Sequence, residues 1–134
     1  MRQAAWLVAL VVSIASCSSG LPPPETTARE IVAGALARDL AVLTSRLSGK
    51  PLKDLLATGN RPAEVEAVCR RIVRLSTVPS EWRLRFARAI YQDDGSSVNL
   101  HLCLQHKHQD QLGLAETFWR MSYVDGGWKL VAYE

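Results

Sequence analysis

The runs Glu81-Trp82-Arg83-Leu84-Arg85-Phe86 and Val98-Asn99-Leu100-His101-Leu102-Cys103-Leu104-Gln105 decide the fold, because apolar and polar residues alternate through them. A period of two sends successive side chains to opposite faces, the pattern of a half-buried β-strand. Asp93-Asp94-Gly95-Ser96 between the runs reads as a turn. Downstream, about Gly113 to Val124 makes a third strand with Thr117, Trp119, Met121 and Tyr123 on one side. Asp125-Gly126-Gly127 then connects tightly into Trp128, Leu130 and Ala132. Consecutive strands joined by short turns predict an antiparallel four-stranded meander.

Upstream of Glu81 the period is helical. Val32, Leu36, Leu40, Leu43 and Leu47 recur at intervals of three and four, and Thr27 and Glu30 have capping-box spacing, which predicts one helix with an apolar face about 20 residues long. Ser48-Gly49-Lys50-Pro51 ends it, with Gly49 suited to a left-handed cap. A short helix follows, with Leu52, Leu55 and Leu56 inward, as far as Gly59. Asn60 is placed to cap a third helix that has Pro62 in its first turn and Val65, Val68, Cys69, Ile72 and Leu75 as its stripe. Helices followed by strands give an α+β class, with N-terminal helices packed on a curved antiparallel four-stranded sheet.

The chain opens with Arg2, an apolar stretch from Ala4 to Val12, and small residues before Cys17. That core is shorter than the roughly 20 residues that span a bilayer, so it reads as a removed secretory signal. Ile14-Ala15-Ser16-Cys17 resembles the bacterial lipobox, which implies a diacylglyceryl thioether on Cys17, cleavage before it, and a further acyl chain such as palmitate on the new amino terminus. The expected organisation is a signal peptide at 1–16, a lipidated tether at 17–25 and a single domain at 26–134. The proline-rich tether, Leu21-Pro22-Pro23-Pro24 included, reaches about 25 Å if extended at about 3.1 Å per residue. The resemblance implies a lipid-anchored protein of the cell envelope. It lies on the outer membrane facing the periplasm in a Gram-negative cell, where Ser18 fits the sorting pattern, or on the outer face of the plasma membrane in a Gram-positive one.

The formal net charge of the whole chain is +3. Loss of Arg2 leaves a nearly neutral domain, which argues against nucleic acid as a partner. Arg70, Arg71 and Arg74, and again Arg83, Arg85 and Arg88, read as a solvated face offset by Glu64, Glu66 and Glu81 rather than as a patch for anionic headgroups or an acidic partner. With Cys17 assigned to lipid, Cys69 and Cys103 remain as an even pair in an oxidising compartment and are expected to be bonded, closing a loop of about 35 residues. The other reading is two free thiols acting as small hydrophobes. A bond would bring the third helix across the His101/Cys103 face.

The long helix, short helices and meander ending in Asp125-Gly126-Gly127-Trp128-Lys129-Leu130 resemble the nuclear transport factor 2-like, or SnoaL-like, cone fold. Small bacterial lipoproteins of that fold often end in a similar Gly-Trp-Lys-aliphatic strand. Its enzymes use a buried Asp or His with a Tyr, which would make His101, Tyr91, Tyr123 and Asp94 the candidates here. None carries a motif, and Asp93 and Asp94 sit where a turn wants Asp. His106 and His108, two apart, with Asp110 nearby, are a candidate zinc or copper set, but the segment around Gln109-Asp110-Gln111 reads as a solvated loop. No catalytic residue, metal or cofactor is therefore expected. The leading expectation is a non-enzymatic envelope lipoprotein, an interaction or scaffolding module with an envelope protein partner. Its binding surface would be the sheet's polar face or the region near Trp119, Tyr123 and Trp128. The alternatives are a binder of a small apolar molecule, a lipid or cell-wall precursor, in a cone pocket, and an isomerase-like or hydrolytic enzyme.

Overall fold

In the computed structural model, which describes residues 20–134, the period-two runs form a single antiparallel sheet in the order β1-β2-β3-β4. Its strands are β1 (Glu81–Gln92), β2 (Ser97–His108), β3 (Gln111–Val124) and β4 (Gly127–Tyr133). The signal, Cys17 and the first residues of the tether lie outside the described residues. Four described helices precede the sheet: α1 (Glu25–Ala37), α2 (Leu40–Arg46), α3 (Gly49–Ala57) and α4 (Pro62–Val73). The chain is thus an α+β domain with its helices laid on an open four-stranded meander.

The strand connections follow their residue types. Asp125 and Gly126 both have positive φ, 52° and 80°, which a two-residue hairpin loop between Val124 and Gly127 demands. Asp93 and Asp94 turn the chain between β1 and β2 in the same left-handed region, which Asp tolerates better than most residues. A register shift between Phe86 and Arg88 marks a bulge in β1 at Ala87.

Alternation then assigns the two faces. Val98, Leu100, Leu102 and Leu104 of β2, Ala115, Thr117, Trp119 and Met121 of β3, and Trp128 and Leu130 of β4 are all buried against the helices. The helices contribute Ala28, Ile31, Val32, Leu43, Val65, Val68, Cys69 and Ile72 to that one core. Trp119 fixes α4 to the sheet: its Nε1–H donates to the Ile72 carbonyl at 3.0 Å. That carbonyl lies in the last turn of α4, where no intrahelical partner exists.

Several expectations about the helices are corrected. The long first helix is two helices, because Arg38 turns left-handed (φ 56°) and the Asp39 side chain accepts from the Val42 amide at 3.3 Å, starting α2 afresh. Gly34 permits the corner: a Cβ there would lie 3.0 Å from Val42 Cγ1. The Thr27/Glu30 box does not form, since α1 already begins at Glu25 behind Pro24. Leu56 points outward at 61% exposure, and the residue preceding α4 is Arg61, with Asn60 left-handed before it. Pro62 does occupy the first turn of α4.

The tether is shorter than its composition predicts. Leu21 packs on the core, and the Pro22 carbonyl accepts from Trp128 Nε1 at 2.7 Å. The chain therefore docks at the β3–β4 hairpin end of the sheet four residues after Cys17.

Candidate functional site

The helices cover one face of the sheet only. The other face carries Arg83, Arg85, Arg88 and Ile90 on β1, Asn99, His101, Cys103 and Gln105 on β2, and Leu112, Leu114, Glu116 and Phe118 on β3. This assignment follows from alternation and from the cross-strand register. Leu112 is 82% exposed, Leu114 59% and Phe118 48%. An apolar strand edge of this kind, beside three arginines, is unlike the solvated polar face expected from the sequence. Glu64 and Glu66 do not offset those arginines: Glu64 pairs with Arg61 and Glu66 with Arg38. Among the described residues, Arg83, Arg85 and Arg88 have no ion-pair partner.

At the centre of this face three side chains converge. His101 and Cys103, two apart on β2, point the same way, and the register sets Glu116 directly opposite Cys103. His101 Nε2 lies 3.0 Å from Glu116 Oε1, and Cys103 Sγ lies 3.9 Å from His101 Nε2 and 3.8 Å from the same Glu116 oxygen. Phe118, opposite His101 in register, stacks on its imidazole with centroids 4.4 Å apart and planes 17° from parallel. The ring is held flat with Nε2 aimed at the other two donors.

The cluster is not arranged for thiol catalysis. A nucleophile–imidazole–acid relay needs the acid on one ring nitrogen and the nucleophile on the other. Here Glu116 and Cys103 both face Nε2, so the carboxylate competes with the thiol instead of orienting the base.

Two concavities flank the cluster. One of about 650 Å³ opens at the end of the sheet farthest from the β3–β4 hairpin, lined by Trp82, His106, Leu112, Gly113 and Leu114 among others. In its wall the His106 ring lies over Gly113, where a Cβ would fall 2.4 Å from His106 Cε1. The other, about 380 Å³, lies between Ile90, His101, Phe118 and Arg120 and the C-terminal Tyr133 and Glu134.

The residues singled out from sequence are distributed differently from expectation. Trp119 and Trp128, at 2% and 3% exposure, are core and not binding surface, and Tyr123 packs edge-on against Trp128 with centroids 5.5 Å apart. Cys69 and Cys103 are both free thiols. Cys69 is fully buried on the helix side, while Cys103 is half-buried on the opposite face, so the sheet separates them and α4 does not cross the His101/Cys103 face. His101 at mid-strand and Asp94 in the β1–β2 turn are not brought together, and Tyr91 is 40% exposed. His106 and His108 do share a face, but Asp110 sits in the exposed turn beyond them, and the group that does gather is His101, Cys103 and Glu116. Glu116 and Phe118 were missed because only the register reveals them.

Among the described residues no helix is long and apolar enough to cross a membrane. Comparison with family models, with curated proteins and with solved structures gives no match, so the functional argument rests on sequence and geometry.

Proposed function

We propose that the chain is an envelope lipoprotein fastened through Cys17, whose domain is a non-enzymatic interaction module that holds a protein partner on the open face of its sheet. The observation that supports this most directly is that face itself, with Ile90, Leu112, Leu114 and Phe118 exposed on the same side as Arg83, Arg85 and Arg88, which have no ion-pair partner among the described residues. Exposed apolar side chains set among charged ones are a usual mark of a protein contact. The arginines favour an acidic partner, and their long stems can cover apolar surface.

The anchor sets the orientation in this reading. Four residues from Cys17 to Leu21 span at most about 14 Å. The β3–β4 hairpin end is therefore held near the lipid, and the end bearing Trp82, Leu112 and Leu114 projects outward by about ten strand residues, roughly 33 Å. An outward-facing apolar tip is where a second envelope protein would be met.

The small-ligand reading draws less support, because Trp119, Met121, Leu100, Leu102 and Leu130 fill the space between helices and sheet. The enzyme reading loses the pairing of His101 with Asp94 on which it depended.

The test is photocrosslinking in the native host from positions 114 and 118, with Lys53 on the helical layer as control. A discrete crosslinked protein at 114 and 118, absent at 53 and lost when Arg83 and Arg85 become Glu, is expected. Crosslinks of equal yield at all three positions, or none at 114 and 118, overturn the reading. Cys17→Ser should abolish lipid labelling and leave an unprocessed precursor; a correctly cleaved, membrane-retained product overturns the anchor.

A further inference from the structure

We propose that His101, Cys103 and Glu116 form a surface binding site for a thiophilic divalent ion of the zinc class. Interaction through the open face does not require this site, and the site does not require a partner.

The argument begins with distances. The three donor atoms, Nε2, Sγ and Oε1, are 3.0, 3.8 and 3.9 Å apart. A circle through three atoms so spaced has a radius of about 2.1 Å. Zinc bonds run to about 2.0–2.2 Å for nitrogen and oxygen and about 2.3 Å for sulfur. An ion can therefore sit among the three with shifts of a few tenths of an ångström. A small displacement toward solvent turns the planar set into three corners of a tetrahedron, with the fourth open to water on the exposed side, where the Glu116 side chain is 54% exposed.

Donor chemistry selects the ion. A thiolate and an imidazole favour zinc and its borderline-soft neighbours over magnesium and calcium, which prefer all-oxygen sets. Charge is compatible as well. One thiolate, one carboxylate and one dication sum to zero, so the loaded site carries no net charge beside Arg85 and Arg88, which lie opposite Cys103 and His101 on β1. Binding requires loss of the Cys103 proton to solvent, as for any thiolate ligand. The scaffold is already assembled. His101 and Cys103 are carried by a strand paired on both sides, Glu116 by its neighbour, and the imidazole plane is fixed by Phe118. A triad on paired strands is more precisely placed than one on loops.

The probe is Co2+, added to the full chain bearing Cys17→Ser, so that Cys69 and Cys103 are the only thiols. One equivalent is expected to give the visible bands of a tetrahedral ion and a near-ultraviolet thiolate-to-cobalt charge-transfer band, both removed by Zn2+. Cys103→Ser should abolish the charge-transfer band. Loss of a group that only hydrogen-bonds a ligand already weakens metal sites about 10–100-fold, so His101→Gln and Glu116→Gln should each weaken Co2+ binding at least tenfold. All three residues lie on the open face, and circular dichroism should show the fold intact in every variant. Absence of a band at a small excess of Co2+ overturns the proposal. So does a band that survives Cys103→Ser, or one that ignores both His101→Gln and Glu116→Gln, which is the behaviour of a lone thiol.

Discussion

Removing the indole N–H of Trp119 while keeping an aromatic ring tests the joint between the helical layer and the sheet. In the native protein the Ile72 carbonyl receives two donors, Trp119 Nε1 at 3.0 Å and Thr117 Oγ1 at 3.5 Å. It is buried at the end of α4, so losing its partners means losing them without water as a substitute. Trp119→Phe leaves the weaker donor in place and is expected to destabilise by about 1–2 kcal/mol, part of it from the smaller ring. Thr117→Val alone, with Trp119 still bonded, should cost roughly 0.5 kcal/mol or less, since its bond is long. Together they orphan the carbonyl, and the double variant should lose about 0.5–1.5 kcal/mol more than the sum of the single ones. Urea denaturation of the four proteins measures the coupling, and each kcal/mol should appear as about 4 °C in Tm for a domain of this size. Additivity within about 0.3 kcal/mol would show that the two side chains do not share one acceptor, and the account of how α4 is fastened would fail.

Other consequences of the fold can be measured with less effort. With both thiols free and on opposite sides of the sheet, a maleimide should label Cys103 in the native protein within minutes, and Cys69 only after unfolding; equal rates refute the face assignment. Burial pushes the Cys69 thiol above its ordinary 9.0, with Arg38 opposing and Glu66 reinforcing, and burial with the neighbouring Asp54 pushes the Tyr133 hydroxyl above 10.0 while Arg71 opposes. The folded state holds both protons more tightly, so stability is full below pH 9 and should decline as pH rises through the ordinary thiol and phenol ranges; stability that grows between pH 9 and 11 contradicts the burial of both groups. Trp128→Phe keeps most of the packing but removes the bond to the Pro22 carbonyl, at about 1 kcal/mol, and should open the chain near Leu21 to proteolysis; unchanged cleavage there would mean the segment is held by Leu21 alone.

The sheet was legible because two signals agreed at the β1–β2 and β3–β4 connections: period-two alternation marks the face, and Asp-Gly-rich residues, found at positive φ, mark the turn. The β2–β3 turn, with Gln109 at positive φ, carried no such signal. The helix count was not. Leu36, Leu40 and Leu43 keep helical spacing across a corner made by one left-handed Arg and one capping Asp, and a local backbone reversal leaves no mark on the apolar rhythm. Alternation had already placed Cys103 opposite the leucines, yet the parity of the cysteines pointed to a bond that would have pulled a helix over the wrong face. The Trp residues were misassigned for a related reason: an aromatic on a strand is equally consistent with core and with contact surface until the face is known. His101, Cys103 and Glu116 needed one further fact, the pairing of Cys103 with Glu116, which depends on the length of the β2–β3 turn and on no property of those three residues.

The edges of the sheet bear on how a partner can bind. β4 is shielded on its outer side, where Leu47 bridges to Leu130 and the Ser48 amide donates to the Leu130 carbonyl at 2.9 Å. Among the described strands β1 pairs only with β2, and it carries Arg83, Arg85 and Arg88 and a bulge at Ala87, devices that discourage strand addition by charge and by twist. Backbone pairing with a guest strand is therefore disfavoured along β1 and β4. β4 pairs with β3 only from Trp119 to Val124, so among the described residues the stretch 111–117 of β3 is a further rim of the sheet, and it carries Leu112 and Leu114. A partner that uses them can lie across the strands or follow this stretch of β3. Charge reversal at Arg85 should then weaken it, while a proline in β1, which removes an edge amide, should matter only as far as it disturbs the fold.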